Sequence, residues 1–149
     1  MTEFLETKVD KFTFKVATDR YYNAQGVWVL IEGNVARIGL SDFVQQRSGD
    51  VAFVDVKPVG TTLTVEDEAV AIETIKVTIS FNSPINGKIV HVNPAMESTP
   101  EVINQDPYGD GWMAEIETSE WEMNRAKLMD APTYFVQMKQ EAEEEAKKL

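Results

Sequence analysis

Short β-type runs separated by turn signals constrain this chain more than any other feature. "FTFKVA" (Phe12–Ala17) alternates apolar and polar residues and reads as a strand. "VWVLIEGNVARIGLS" places two β-rich runs about Gly33-Asn34, residues that tolerate positive φ, and reads as a hairpin. "VAFVDVK" is a strand closed by the turn Pro58-Val59-Gly60. "TTLTVEDEAVAIE" holds a short strand, an acidic bend and a second strand. "VTISFN" and "GKIVHVN" continue the pattern, with turns near Asn82-Ser83 and Asn86-Gly87, and "WMAEIET" is the last strand. Many short strands at close spacing predict a small barrel or sandwich.

Helical signals are fewer and lie mostly toward the C-terminus. "SDFVQQRSGD" opens with Ser41 as N-cap and closes near Gly49, enough for one or two turns. Beyond Asn93 a long connection rich in Pro, Asn and Gly follows, where Pro100 can open a helical turn. Ser119-x-x-Glu122 has the form of a capping box and predicts a helix to about Met129. Ala131-Pro132 opens another helix ending in "KQEAEEEAKKL", whose acids precede its lysines as the helix dipole favours. Residues 1–11 are polar and lack a repeat, so they read as a loosely docked N-terminal extension. Residues 12–149 read as one mainly β domain with short helices and appended C-terminal helices.

Composition removes several function classes. The net charge of −11 repels phosphate backbones, which argues against a nucleic-acid partner, and suits docking onto basic protein faces. No apolar run approaches a membrane span, and "MTEFLETKVDK" lacks the form of a secretory signal, so a cytoplasmic location is expected. The chain holds no cysteine, which removes disulfides, thiolate nucleophiles and Cys-ligated metals. Its one histidine, His91, sits in "GKIVHVN" with no partner motif, so it reads as a surface or rim residue. No phosphate loop, metal spacing or catalytic residue set stands out, and a carrier or binding role without turnover of its own is expected.

"AIETIKVTIS" contains the residue that most needs a function. Lys76 falls between two strand-like runs, at the crest of a hairpin. A crest lysine is ordinarily a solubilising residue. An exposed ammonium is a poor nucleophile and a poor ligand, but a long amine on a rigid turn is a good attachment point for a group added by another enzyme.

Three segments carry a family resemblance: "VWVLIEGNVARIGLSDFVQQRSGDVAFVDVKPVG", "IETIKVTISFNSPINGKIVHVN" and "PEVINQDPYGDGWM". Together they resemble the H protein of the glycine cleavage system over residues 20–138. The resemblance implies a lipoyl-domain-like barrel-sandwich hybrid with lipoate in amide linkage on Lys76. The attachment turn is then Glu73, Thr74, Ile75, Lys76 and Val77, matching the family's E-S-V-K-A. Gly87 matches the glycine that follows the lysine in lipoyl domains, and residues 106–112, "DPYGDGW", match P-Y-x-x-G-W. Biotinyl domains flank their lysine with methionines; Ile75 and Val77 argue against biotin, although both also suit a plain strand. Glu73 is either a recognition element for the lipoate-attaching enzyme or an exposed strand-end acid.

The chain departs from the family at several positions: Gly26 stands where the family has a histidine, and three further changes bear on the cargo. Its "YNAQGVW" places Val27 where the family has a glutamate, "KVTIS" places Ser80 where a second acid follows the lysine, and Arg47 replaces a histidine. If Val27, Arg47 and Ser80 line a cargo pocket, that pocket suits a neutral or anionic group better than a cationic aminomethyl group. This resembles the lipoate-binding proteins of sulfur oxidation, which act with a heterodisulfide-reductase-like complex. The expected function is therefore a lipoyl-lysine carrier of a sulfur-bound intermediate. Two alternatives stand beside it: a glycine cleavage H protein carrying the aminomethyl group, and an unmodified interaction module. The resemblance implies as partners a lipoate-attaching enzyme, dihydrolipoyl dehydrogenase, and either the heterodisulfide-reductase-like complex or the glycine cleavage enzymes. A monomer is expected.

Overall fold

The computed structural model describes residues 2–148. Eleven strands and five helices run along the chain in the order β1 (Phe4–Val9), β2 (Phe12–Ala17), β3 (Tyr21–Tyr22), β4 (Val27–Glu32), β5 (Val35–Leu40), α1 (Asp42–Ser48), β6 (Val51–Val56), β7 (Thr62–Leu63), β8 (Glu68–Thr74), β9 (Thr78–Asn82), β10 (Gly87–Val92), α2 (Ala95–Ser98), α3 (Val102–Gln105), β11 (Ala114–Glu117), α4 (Trp121–Arg125) and α5 (Ala131–Ala146). They form a six-stranded sheet in the order β3-β4-β5-β11-β10-β7, a three-stranded sheet β6-β8-β9, and a separate ribbon β1-β2. This is the expected mainly β, lipoyl-domain-like architecture.

The predicted hairpin turns at Gly33-Asn34, with Glu32 opposite Val35. Val27, Trp28 and Val29 are all buried, so this end of β4 is covered on both faces. On one face Trp28 lies under the Arg20 guanidinium, 4.6 Å from its ring centroid, and its indole N–H donates to the Pro107 carbonyl at 3.0 Å. The main core gathers Ile38, Leu40, Val70, Ile72, Phe81, Ile89, Met113 and Ile116 from the two sheets.

Of the expected loose extension 1–11, Met1 lies outside the described residues, and residues 4–9 form a strand. Residues 4–9 pair with β2 through a continuous six-residue register, closed by a two-residue loop at Asp10-Lys11. Asp10 takes φ +56, a left-handed conformation that a short polar side chain tolerates. The alternation in "FLETKV" is blurred because Phe4 is on the exposed face and Thr7 on the covered one, and α5, remote in sequence, packs on both β1 and β2.

The predicted capping box at Ser119 does not form. Helix α4 has Glu120 at its N-cap with no side-chain cap, and it ends at Arg125 rather than near Met129. The sheet edge claims Met129 instead. Its N–H donates to the Tyr22 carbonyl at 2.8 Å, and the Tyr22 N–H returns a bond to the Met129 carbonyl at 2.9 Å. Helix α5 begins where expected, with Asp130 as its N-cap accepting from the Thr133 N–H at 3.0 Å. Ser41 caps α1 by accepting from the Val44 N–H, and its hydroxyl also bonds the Tyr134 hydroxyl at 2.7 Å, tying α1 to α5.

Candidate functional site

Lys76 stands at the tip of the β8–β9 hairpin, where Glu73 pairs with Thr78. Residues 75–77 are all exposed, while Thr74 beneath them is buried. The Thr74 hydroxyl organises the tip. It accepts from the Lys76 and Val77 N–H groups, each at 3.1 Å, and donates to the Val77 carbonyl at 3.1 Å. A hydroxyl has one donor and two acceptor sites, so its capacity is filled within the turn. The Thr74 N–H also donates to the Val77 carbonyl at 2.8 Å, which closes the ring.

A second set of bonds ties the tip to the body. The Ile75 N–H donates to the Asp50 carbonyl at 3.1 Å. Asn104 of α3 locks the adjoining segment: its amide donates to the Gly49 carbonyl and to Gln45, each at 3.1 Å, and its Oδ1 accepts from the Val51 N–H at 2.9 Å. Gly49 takes φ +87, and a Cβ there would lie 3.4 Å from the Cδ and Cε of Lys76. The lysine stem therefore runs alongside a backbone position without a side chain. Lys76 forms no ion pair among the described residues, so no carboxylate holds its amine against the surface. Glu73 is exposed beside it, and Ile75 is 73% and Val77 47% exposed, an apolar collar around an acceptor amine.

The three residues expected to share a cargo pocket are not brought together. Val27 is 1% exposed and faces the core opposite Leu40, so its side chain offers nothing to a cargo. Ser80 is exposed on β9 opposite Ala71, while the tip pair is Glu73 and Thr78, which sets Ser80 two residues further from the tip. There, with the Ser80 hydroxyl and then Lys57 as hydrogen-bond partners, the Glu68 carboxyl is held below its usual value. Only Arg47 lies in a groove with Lys76. Its guanidinium sits over the Phe43 ring at 4.9 Å and pairs with Glu145 at 3.3 Å. The other residues of this region carry structure. Gln25 bridges to β9, donating to the Ser80 carbonyl at 3.1 Å and accepting from the Asn82 N–H at 2.7 Å.

His91 is exposed on β10 with its Nδ1 2.9 Å from Glu115, which also binds Arg37. It lies on the six-stranded sheet, whereas the lysine turn belongs to the three-stranded one. No cluster of three or more metal-ligating side chains occurs among the described residues, and no helix there is long and apolar enough to cross a membrane.

An exposed lysine without an ion pair, on the clamped hairpin tip of a β-sandwich, fits the class of swinging-arm carrier domains, in which the protein mounts a group and partner enzymes act on it. The family comparison is specific within that class. The model of the glycine cleavage H-protein family matches residues 20–141, so the chain belongs to that family. It is 32% identical over 127 residues to a probable glycine cleavage system H protein 1 of Sulfolobus acidocaldarius, covering 85% of this chain and 91% of that one. It is 39% identical over 116 residues to the glycine cleavage system H protein of Salinibacter ruber, covering 78% and 93%. The crystal structure of a glycine cleavage system H protein from Mycobacterium marinum superposes with a TM-score of 0.71 at 29% identity, covering 80% of this chain and 96% of that one. Glycine cleavage H proteins carry lipoate covalently on a lysine. These relatives favour the aminomethyl alternative over the sulfur-oxidation reading.

Proposed function

We propose that this protein is the lipoyl-lysine carrier of a glycine cleavage system, with lipoate in amide linkage on Lys76. The observation that carries the reading is the tip itself: an exposed, unpaired amine on a turn whose only buried side chain, Thr74, spends every hydrogen bond on holding it. The residues present fit the group. The amine is open to an attaching enzyme, and the lysine stem borders a partly apolar groove. When bound, lipoate supplies a dithiolane whose sulfur–sulfur bond can open to take a cargo on sulfur. The chain's own part is mechanical. Thr74 sets the direction of the lysine, the Asp50 carbonyl and Asn104 hold the hairpin to the body, and the sheet keeps the mount rigid. The partners under this reading are a lipoate-attaching enzyme, the glycine cleavage enzymes and dihydrolipoyl dehydrogenase, and the protein has no turnover of its own.

Intact mass after incubation with lipoate, ATP and a lipoate ligase tests the assignment. The mass is expected to rise by one lipoyl group, and Lys76→Ala abolishes the rise. Lys76→Arg abolishes it too, because a guanidinium stays protonated and is not acylated as an amine is. Full modification of the Lys76→Ala chain removes Lys76 from the role.

A second reading, transfer of a sulfur-bearing cargo to a heterodisulfide-reductase-like complex, keeps one observation in its favour: Arg47 shares the groove with Lys76, and its planar fork suits an anion. Glycine-dependent loading of methylamine by the partner enzymes separates the two. Loading at the level of an ordinary H protein supports the first reading, and its absence on a fully lipoylated chain supports the second.

A further inference from the structure

Strand β6 carries a bulge that turns an aromatic side chain into solvent. Val51 lies opposite Thr74 and Phe53 opposite Glu73, so two residues of β6 answer one of β8. An unbroken alternation would put Val51 and Phe53 on the same face. The extra residue, Ala52, leaves Val51 buried and points Phe53 outward, 69% exposed. The shift also serves the core, since it covers Val54 and Val56 and exposes Asp55. Phe53 is the one residue of the bulged strand's apolar set that this arrangement leaves without a role in the fold.

Its neighbours give it another role. Phe53, Glu73 and Thr78 form one cross-strand row on the outer face of the three-stranded sheet, beside the tip, and Asp55, Ala71 and Ser80 form the next row. The face is thus an exposed aromatic ring flanked by Glu73 and Asp55, both exposed and neither in an ion pair among the described residues, and it continues into the exposed Ile75 and Val77. It is separate from the groove that Arg47 shares with Lys76, which is walled by Phe12, Phe43 and Ala142. An enzyme that acylates Lys76 must bring its active site to an amine held on a short four-carbon stem, so its footprint covers the rows next to the tip. Enzymes that act on the far end of a finished arm work at greater remove and need not touch them. An enzyme that uses ATP also places basic groups about its phosphate site, and these complement two unpaired carboxylates. We propose that Phe53 is the anchor on which the lipoate-attaching enzyme docks, entering an apolar pocket of that enzyme while Glu73 and Asp55 meet a basic rim. This inference rests on the lipoylation of Lys76.

The test is the kinetics of lipoylation by a lipoate ligase that modifies the wild-type chain, with lipoate and ATP. Phe53→Ala is expected to lower kcat/KM about tenfold, equivalent to about 1.4 kcal/mol, through a raised KM with kcat kept. Phe53→Leu keeps apolar bulk and is expected to recover most of the loss. Asp55→Asn is expected to lower kcat/KM at low salt and not at high salt, since salt screens an exposed charge contact. Val59→Ala, at an exposed apolar position in the turn beyond β6, is expected to leave the rate unchanged. Hydrogen exchange of the wild-type chain with and without ligase gives a reading independent of any variant's folding. Residues 52–55 and 73–78 are expected to gain protection, and the Gly33-Asn34 turn to show none. A Phe53→Ala chain modified with wild-type KM, or protection confined to residues 73–78, overturns the docking proposal. So does a Phe53→Ala chain that is lipoylated normally but loses glycine-dependent methylamine loading, which would assign the face to a cargo-loading enzyme. These outcomes leave the carrier reading intact, whereas absence of any lipoyl group on wild-type Lys76 overturns both.

Discussion

Replacing Thr74 by valine removes one hydroxyl and almost nothing else, since the two side chains are nearly isosteric. The hydroxyl makes three hydrogen bonds in the tip, all at 3.1 Å. A typical bond contributes ~0.5–1.5 kcal/mol net. Residues 75–77 are exposed, so water can replace the lost partners, and the low end applies: about 1.5 kcal/mol for the set. For a chain of this length a loss of 1 kcal/mol lowers Tm by ~2–4 °C, so Thr74→Val is expected to lower it by about 3–6 °C. The functional loss follows from the same figure. If the attaching enzyme must re-form the native turn, lipoylation efficiency falls by up to about tenfold. Thr74→Ser keeps the hydroxyl and is expected to keep most of both. The measurements are thermal melting and kcat/KM for lipoylation across the three chains. A Thr74→Val protein that melts within about 1 °C of wild type and is modified at the wild-type rate would show that backbone pairing alone shapes the tip.

Two further perturbations test the supports of the site. Gly26 has φ +82, and a Cβ there would collide with Val44 Cγ2 and lie 2.8 Å from the Tyr134 hydroxyl, so Gly26→Ala combines a left-handed penalty of ~1–2 kcal/mol with overpacking of ~1–3 kcal/mol; the urea midpoint should fall accordingly with an unchanged m-value. The Asp130 carboxyl, hydrogen-bonded to Thr133 at the start of α5, is held below its usual value in the folded state, so its contribution is present above the unfolded pKa and is lost as pH falls through the folded one. Asp130→Ala is therefore expected to destabilise the protein at neutral pH, with a difference from wild type that shrinks as pH falls below the usual carboxylate range, in paired denaturation curves.

The parts of the fold legible in the sequence were those decided locally. The Gly33-Asn34 hairpin, the Ser41 cap of α1 and the start of α5 each depend on a few adjacent residues, and each lies where the residues put it. The Lys76 crest was legible in the same way, between two alternating runs. What failed depended on partners distant in the chain. Strand β1 is stabilised by α5, more than a hundred residues on, and its own alternation is too faint to announce it. The helix expected to run from Ser119 to about Met129 is shortened at both ends: the Thr118 hydroxyl accepts from the Glu120 N–H at 3.1 Å, and Met129 pairs with Tyr22. The cargo pocket failed for a different reason. Matching Val27 and Ser80 to family positions says which residue stands there, but not that Val27 turns into the core or that Ser80 lies along β9 beside Glu68. Asn104, Phe12 and Ala142, which shape the site, carry no local signal at all, since their roles exist only once the chain closes. Thr74 did carry one: a threonine leading a tight turn is suited to bonding the backbone two and three residues on.

Rigidity of the mount and freedom of the arm are complementary requirements, and the structure separates them at a single residue. Everything up to the Lys76 backbone is held, by Thr74 from below, by the Asp50 carbonyl from the side, and by Asn104 through the Gly49–Val51 segment. Everything beyond its Cα is free of ion pairs. A carrier works by converting encounters with successive partners into local events, and the gain depends on the volume that the tethered group explores. A loose hairpin would enlarge that volume and dilute the group. A lysine paired with a carboxylate would present its amine to another enzyme less readily. The acidic character of the chain does not defeat this arrangement: Glu73, the nearest acid in sequence, forms no ion pair with the amine among the described residues. Under the proposed function, the turn thus reconciles a net charge of −11, suited to docking on basic partner surfaces, with an amine that carries no ion pair.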